Sequence, residues 1–499
     1  MERLSRSQTR AVPSSRTCSD RQTTQAGLGR LSARRMLAEY AARAGAAMVG
    51  VVVSLLAVRA KGADMAAKPT FFDLTDPGVT SAGSPLLQPW KRVPLDPEYS
   101  GAWTLTGDVD GDGQAEVLSV RNVNTGDVHY TSAVVAQRLD GSVLWRWGNP
   151  AVGRRGLHHD VACQIHDWDG DGKLEVILCT EGFLVELDGA TGKERRRLAL
   201  PREATDCLVF ADLAGRGRAA EVLVKTRYTD IWALDYAGKV LWTVAKPGGY
   251  QTAHQPIPVD VDGDGRQEIM AGYALLNPEG TVRWVLPDGG RFKGGGHLDC
   301  GRVLRRGTKA ADTVLLLTCC AHGRLLAVDG AGGILWEISG HHFESIDLGK
   351  VRPDRPGVQL LVDVVPTAGR GDRNELWLVG EDGEWLGRIA AEYTRFHTLA
   401  DLNGDGLDEI VLPHSRGLFA GDGRRIGTFA MESQTDLYGG KPHAQGEIGN
   451  LVVRGDMNGD GVADVTLTTP EAVYVFTGAP GVKAATPAVL GCGTNFTLY

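Results

Sequence analysis

From about residue 100 onward, short apolar runs alternate with breaks rich in Gly and Asp, as in EVILCT at Glu175 and EIVLPH at Glu409. No stretch sustains the 3.6-residue period of a long helix. Runs of this length bounded by turn residues predict β-strands. The pattern is also periodic on a larger scale. A strand enters an acidic, glycine-punctuated loop, and a second strand leaves it. A third ends in a turn such as LDG, YAG, PEG or GAG, and a fourth often carries VLW, VRW or ILW.

Five copies of the loop are intact: DVDGDGQAE from Asp108, DWDGDGKLE from Asp167, DVDGDGRQE from Asp260, DLNGDGLDE from Asp401 and DMNGDGVAD from Asp456. Three further segments keep the flanking strands and lose the loop, starting at Asp212, Asp299 and Asp347. The spacings between the eight starts are 59, 45, 48, 39, 48, 54 and 55 residues. Four short strands per repeat of that length is the signature of a propeller blade. The sequence therefore predicts an all-β, eight-bladed β-propeller over residues 100–499, with four-stranded antiparallel blades and Ca-binding DxDGDG loops. Seven blades is the alternative, if one degenerate repeat is an insertion. The closing segment GTNFTLY alternates like a strand and is expected to complete the last blade. Residues 63–99 contain prolines and no repeat, and predict an extended leader with one strand near Phe71–Leu74.

The loops carry their own chemistry. Asp260, Asp262, Asp264 and Glu268 occupy positions 1, 3, 5 and 9 of one copy. Side chains so spaced converge when glycines let the backbone curl, and several carboxylates at such range repel one another without a cation. Hard oxygen donors in a flexible cage suit Ca²⁺ better than Mg²⁺. The equivalent ligands are Asp108, Asp110, Asp112 and Glu116; Asp167, Asp169, Asp171 and Glu175; Asp401, Asn403, Asp405 and Glu409; and Asp456, Asn458, Asp460 and Asp464. About five structural calcium sites follow. An EF-hand would need a glutamate at position 12 and flanking helices, and neither is present. The third repeat has Ala214 and Arg216 in place of carboxylates, so no metal is expected there and a basic side chain takes the space.

Charge sets the class of partner. Residues 1–62 hold ten Arg and one Lys against three acids, a balance of +8. They also contain the apolar run Gly45–Val58, followed by small residues at Ala60 and Gly62. That order is the layout of a secretory signal. The run is short for a membrane span, which needs about 20 residues. A retained anchor and a twin-arginine reading of Arg34-Arg35 are the alternatives. The expectation is a secreted or periplasmic monomer without a membrane span. Without those residues the whole-chain charge of −8 becomes −16. Nucleic acid, which needs a basic footprint, is disfavoured as a partner. Seven cysteines remain beyond Cys18; their spacing matches no zinc motif, and they are expected as core residues with at most one disulfide.

The histidines are not scattered. Counting back from the first loop position, His159 lies eight residues upstream, His254 and His341 six, and His397 four. Asp206 is also six upstream, and His297 precedes Asp299 by two. All these offsets are even, so the side chains share a strand face. A strand that ends in a loop at one rim begins at the other, beside the propeller axis. These residues, with His342 next to His341, are thus candidates for a pocket at that rim. Tyr250 and Tyr393 are candidates for stacking on sugar rings.

The repeats resemble the FG-GAP/VCBS type of calcium-loop propeller blade found in integrin heads and many secreted bacterial proteins, across all eight units. A second, shorter resemblance lies in GHHFESIDLGKVRPDRPGVQLLVDV, Gly340 to Val364. It is similar to the histidine-led segment of calcium-dependent, eight-bladed rhamnogalacturonan lyases, where His-Gly-Asp precedes a Pro-Asp/Asn-Arg-Pro-Gly turn. Here His342, Phe343 and Glu344 occupy the first group, and Pro353 to Gly357 match the turn. The resemblance implies β-elimination on an extracellular acidic polysaccharide. His341 or His342 is then the base, and His254, His297 and His397 orient the substrate, with His159 a further candidate of the same site. Arg395, Lys293 and Arg291 would neutralise the uronate carboxylate, with Asp206 and Tyr250 in the binding surface. A non-catalytic propeller that binds glycan or protein with the same face is the alternative.

Overall fold

The computed structural model describes residues 71–75, 83–101, 103–125, 128–153, 155, 162–202, 204, 206–287, 296–365, 374–391, 394, 396–431 and 451–479. The basic and apolar stretch at residues 1–62, the closing GTNFTLY segment and Cys492 lie outside these.

Eight sheets follow one another along the chain, each with four antiparallel blade strands. In the first, Trp103–Gly107 pairs with Glu116–Thr125, which pairs with Val128–Gln137 and then Val143–Gly148. The leading strands of the other blades are Cys163–His166, Cys207–Ala211, Thr252–Val259, Gly301–Arg305, Phe343–Gly349, Thr398–Ala400 and Leu451–Gly455. Each leading strand lies against the leading strands of both neighbouring blades, and the eighth returns to the first. The ring is closed, and the fold is an eight-bladed β-propeller. Among the described residues no helix is long and apolar enough to cross a membrane.

The second strands of the blades are almost wholly buried, as in EVILCT, EVLVK and VLLLTC. They are sandwiched between neighbouring blades, which explains why they read as continuous apolar runs rather than alternating ones. The outer strands alternate instead: Glu194–Ala199 and Val240–Ala245 each present every second residue to solvent.

The tryptophans of the VLW-type segments join the blades. Trp145 donates its indole N–H to the carbonyl of Gly189 in the next blade, at 2.7 Å. Trp242 does the same to Pro278, Trp284 to Gly330 and Trp336 to Glu381, each at 2.9 Å. In each case the ring covers a glycine of the neighbouring outer turn, for example Gly192 with φ +67° under Trp145, where a side chain would collide with the indole. One apolar face and one hydrogen bond thus repeat around the ring, fixing the angle between blades.

The segment before the first blade supplies what later blades lack. Phe72–Thr75 adds in parallel to the outer edge of the sixth blade, and Leu86–Leu87 to that of the seventh. Phe72 covers Gly423 of the seventh blade, the position a tryptophan takes elsewhere. Lys91–Pro94 is the fourth strand of the eighth blade, antiparallel to Ala472–Phe476. Residues before the first blade thus hold the outer position of this blade, while the GTNFTLY segment expected there lies outside the described residues. The six described cysteines, Cys163, Cys179, Cys207, Cys300, Cys319 and Cys320, are all free thiols, so no disulfide forms among them.

Val93, at the centre of this closing strand, is fully buried, whereas Leu86 in the same leader is 65% exposed. Val93→Ala is expected to destabilise the protein by about 2 kcal/mol through lost burial and a residual cavity. Leu86→Ala should change stability by less than about 0.5 kcal/mol. Urea unfolding of the two variants checks this, and equal effects would show that the leader strand does not close the ring.

Candidate active site at one rim

In an antiparallel blade the start of the first strand and the turn between the second and third strands lie at the same rim. The acidic loops, between first and second strands, lie at the other. The residues upstream of the loops and the second turns therefore meet, and they do so most densely across blades three to six.

Asp299 is at the centre of this meeting point. It is 3% exposed and lies two residues before the strand Gly301–Arg305. Sequence spacing reads it as the first residue of a degenerate loop; the structure moves that loop to the segment between Arg305 and Val314. With the acid spacing of this repeat lost, only the flanking aspartate remains to align, and it belongs to the opposite rim. His297 Nε2 is 3.1 Å from Asp299 Oδ1, and His254 Nε2 is 3.6 Å from the same oxygen. On the other side His342 Nε2 lies 3.7 Å from Oδ2 and 3.4 Å from Glu344 Oε1. Cys320, in the second turn of the fifth blade, places Sγ 3.4 Å from His297 Nε2. Two triads of potential metal donors share this carboxylate: His254, His297 and Asp299, and Asp299, Cys320 and His342.

Burial alone would raise the Asp299 pKa. The contact from His297, with the nearby imidazoles of His342 and His254, outweighs burial and holds the carboxyl below the usual range. The thiol of Cys320 goes the other way: burial pushes it up, and the charges of Asp299 and Glu344 add to that. The aromatic wall comes from Tyr228, whose ring lies 4.9 Å from His297 and 5.6 Å from His254. Next to it, Arg227 donates to His129 Nε2 at 2.7 Å. A guanidinium only donates, so His129 accepts through Nε2 and is neutral, with its proton on Nδ1. Its long hairpin in the first blade thereby reaches the second turn of the third.

The remaining sequence candidates are distributed differently. His341 packs edge-on against Trp377 at 4.6 Å. His397 has Nδ1 3.1 Å from the Thr394 carbonyl and Nε2 3.2 Å from that of Leu361, which ties it to backbone. Tyr250 packs on Tyr273 at 5.4 Å. Asp206 pairs with Lys225 at 2.7 Å, both side chains 1% exposed, and Lys225 also donates to the Arg227 carbonyl. Removing one charge of such a pair leaves the other buried and unmatched, so the two hold the turn that carries Arg227 and Tyr228. His159, Arg395, Lys293, Arg291 and Tyr393 lie outside the described residues. Asp299 as a site residue, Cys320, Tyr228 and Arg227 are additions the sequence reading did not make, whereas Glu344 entered it only as part of the lyase-like segment. For Cys320, Tyr228 and Arg227 the signal is topological: the second turns share a rim with the strand starts.

At the opposite rim the intact loops have one hydrogen-bonding scheme. Asp260 accepts from the Gly263 and Gly265 amides, and Glu268 from the Val261 amide. The same pattern recurs at Asp108, Asp167, Asp401 and Asp456. Donor oxygens cluster tightly enough for a metal at Asp108, Asp110 and Glu116; at Asp167, Asp169 and Glu175; and at Asp260, Asp262 and Glu268. Burial, reinforced by neighbouring aspartates, pushes Glu116, Glu175 and Glu409 up to about 7 and Asp464 to about 6. These carboxyls hold a proton far closer to neutral pH than ordinary ones unless positive charge joins them. Arg195 and Arg283 partly supply it, bridging Asp169 to Glu175 and Asp262 to Glu268. The all-oxygen donor set fits a hard cation. In the third blade Arg216 reaches Glu221 at 2.7 Å, a cationic side chain within the loop itself.

No family model matches the chain. It is 28% identical over 302 residues to the rhamnogalacturonan endolyase YesW of Bacillus subtilis strain 168, a match covering 46% of this chain and 48% of that protein. Identity to the rhamnogalacturonan exolyase YesX of the same organism is 25% over 290 residues, covering 52% and 44%. The chain thus spans about half the length of the curated relatives it matches. In structure it superimposes on rhamnogalacturonan lyase YesW with a TM-score of 0.55 at 21% identity, covering 80% of this chain and 77% of that one. The V. cholerae biofilm matrix protein Bap1 gives 0.55 at 14% identity, over 82% and 93%. The propeller is accordingly weakly homologous to rhamnogalacturonan lyases, and shares its fold with a matrix protein.

Proposed function

We propose that the propeller is a polysaccharide lyase that cleaves an acidic, uronate-containing backbone of the rhamnogalacturonan class by β-elimination. The observation that carries this reading is the convergence of His254, His297 and His342 on one buried carboxylate, in a chain similar to YesW and YesX.

In the elimination, a base removes the proton at C5 of a uronate, the electron pair forms the C4–C5 double bond, and the C4–O bond breaks. The departing oxygen takes up a proton. His342 is the base we favour. At 24% exposed it is more accessible than His254, at 2%, and Asp299 and Glu344 both face its Nε2. Carboxylates there favour the tautomer with the proton on Nε2, leaving Nδ1 to accept. Positive charge beside the uronate carboxylate makes the C5 proton more acidic. Arg227 serves that role from the Tyr228 side, with Arg395 and Lys293 as further candidates. The order of basic, apolar and small residues in residues 1–62 supports export to where such polysaccharides occur.

The wild-type protein is expected to release products with the ultraviolet absorbance of an unsaturated uronate from rhamnogalacturonan. His342→Ala should lower kcat by about 10²–10⁴-fold with an unchanged fold. Binding without any absorbing product, across a panel of acidic polysaccharides, would replace this reading with a non-catalytic glycan-binding propeller.

We infer also that the five intact loops are calcium sites of the FG-GAP/VCBS type, held by the position 1, 3, 5 and 9 side chains, and that they stabilise the blades. Each site contributes about 2.7 kcal/mol when calcium is at a hundredfold excess over Kd. Chelation should therefore lower Tm by on the order of 10 °C, restored by calcium. A Tm indifferent to chelator would overturn the assignment.

A further inference from the structure

The rim that holds Asp299 has a second half. In a closed ring of eight blades, the junction of the eighth and first lies across the axis from that of the fourth and fifth. Three arginines stand at this rim around the far junction. Arg416 is in the second turn of the seventh blade, between Glu409–Leu412 and Gly417–Phe419. Arg121 lies late in the long second strand of the first blade, Glu116–Thr125, and Arg155 follows that blade's outer strand, Val143–Gly148.

Each guanidinium meets only uncharged partners. Arg121 donates to the Ser100 carbonyl at 3.2 and 3.3 Å and to that of Pro150 at 2.7 Å. Arg155 donates to the carbonyls of Pro97 and Pro470, at 3.1 and 3.0 Å, and to Ser100 Oγ at 3.2 Å. Arg416 makes one bond, from Nη1 to the Met431 carbonyl at 3.3 Å, and its buried Nε has no partner. Among the described residues none of the three forms an ion pair. Asp96, whose charge reaches Arg121, is held by Arg146 at 2.6 Å. Elsewhere Arg195, Arg283 and Arg388 each bridge two carboxylates.

Burial brings the Arg121 guanidinium below its ordinary pKa, and the like charge of Arg155 adds to that. Burial acts in the same direction at Arg416. Both side chains nonetheless stay charged, so desolvated positive charge is left here without an anion. The Arg416 backbone is also in the left-handed region, with φ +52°. A non-glycine residue held there costs energy, and such strain clusters where a side chain is held for a ligand.

From this arrangement we propose that Arg121, Arg155 and Arg416 form a binding site for the carboxylates of an acidic polysaccharide, across the axis from His342. A guanidinium has five N–H groups and takes a carboxylate through two parallel ones. At most three are engaged on any of these arginines, which leaves the fork available. The chain beyond residue 62 carries a charge of −16, so a cationic half-rim also offsets the repulsion an acidic polymer would meet. The identity of the polymer rests on the lyase reading, whereas the carboxylate site does not.

The test uses the full chain carrying His342→Ala, in calcium, so that ligand is bound rather than cleaved. Calorimetry compares rhamnogalacturonan fragments with the same fragments methyl-esterified at their uronates. The charged fragments are expected to bind at least about tenfold more tightly. Arg155→Met and Arg416→Met should each weaken their binding by about tenfold, and that of the ester by less than about twofold. Arg416→Lys, which keeps the charge and loses the fork, should fall between parent and Arg416→Met. Thermal melts establish that each variant is folded. Arg155 also ties three backbone segments together, so Arg416→Met decides the matter if Arg155→Met melts early. Equal affinity of Arg416→Met and its parent for the charged fragments would overturn the proposal. Equal binding of charged and esterified fragments, or no binding of either, would do the same. Activity is read separately with His342 intact. Unsaturated product from a protein whose affinity ignores Arg416→Met would remove this site and leave the lyase. Affinity lost in that variant, with no product from the wild type, would remove only the lyase.

Discussion

A four-stranded blade has two apolar faces and cannot be stable alone, and every other feature of this chain follows from how those faces are covered. Each buried second strand needs a neighbour on both sides, so the only arrangement without an exposed face is a closed ring. Closure demands that the first and last blades meet, and the chain meets the demand with residues that precede the first blade: Lys91–Pro94 completes the eighth sheet. The tryptophan-to-carbonyl contacts then set the spacing between adjacent blades. Where the outer strand of the sixth blade has Gly387 at the wedge position, Phe72 from the leader packs there and occupies the place over Gly423. The leader is thus part of the wedge system, and its strands at the sixth and seventh blades cover outer edges that would otherwise present open backbone.

The third blade separates what the acidic loop does for the backbone from what it does for a cation. Its loop has no carboxylate at positions 3 or 5, yet Asp212 still accepts from the Arg216 and Gly217 amides, and Glu221 from the Leu213 amide. The first aspartate and the closing glutamate, here one residue later at position 10, therefore fold the loop whether or not a metal is held. Positions 3 and 5 decide the cation question, and there the third blade has substituted a guanidinium. A conspicuous motif carries two functions that only a degenerate copy lets one tell apart.

The fold was legible in the sequence because its determinants are local and repeated. Loop spacing, strand length and the VLW segments each occur many times, so errors in one copy do not matter. The candidate site was legible in part. Even offsets upstream of the loops picked out His254 and His297, and the shorter family resemblance picked out His342; these three do converge. The offsets also picked out His341 and His397, which lie on an aromatic ring and on backbone carbonyls. A shared strand face gives direction but not depth, and a one-residue difference in register at the rim decides whether a ring faces its neighbours or its own sheet. Asp299 was misplaced because the fifth repeat has no acidic spacing left to anchor an alignment. Cys320 and Tyr228 sit on second turns, whose proximity to the strand starts is a property of antiparallel topology rather than of any motif.

The propeller also explains how two chemically unlike environments arise at the two ends of one inner strand. An inner strand of five or so residues is about 17 Å long. Its downstream end opens into a loop of carboxylates exposed to water, where oxygen donors are plentiful and the backbone is flexible. Its upstream end lies among three other blades, where Asp299 is buried and the groups close to it are imidazoles and a thiol. A carboxylate at that depth is costly unless positive charge or hydrogen bonds meet it. Histidines arriving from separate blades do so without filling the rim with permanent charge, since each ring remains neutral or protonated according to its partners. The strand therefore keeps a hard, solvated, structural environment and a softer, desolvated, chemically tunable one at opposite ends. Repetition builds the first on several blades at once, whereas the second requires unlike residues from unlike blades and so arises once, where the repeats have diverged most.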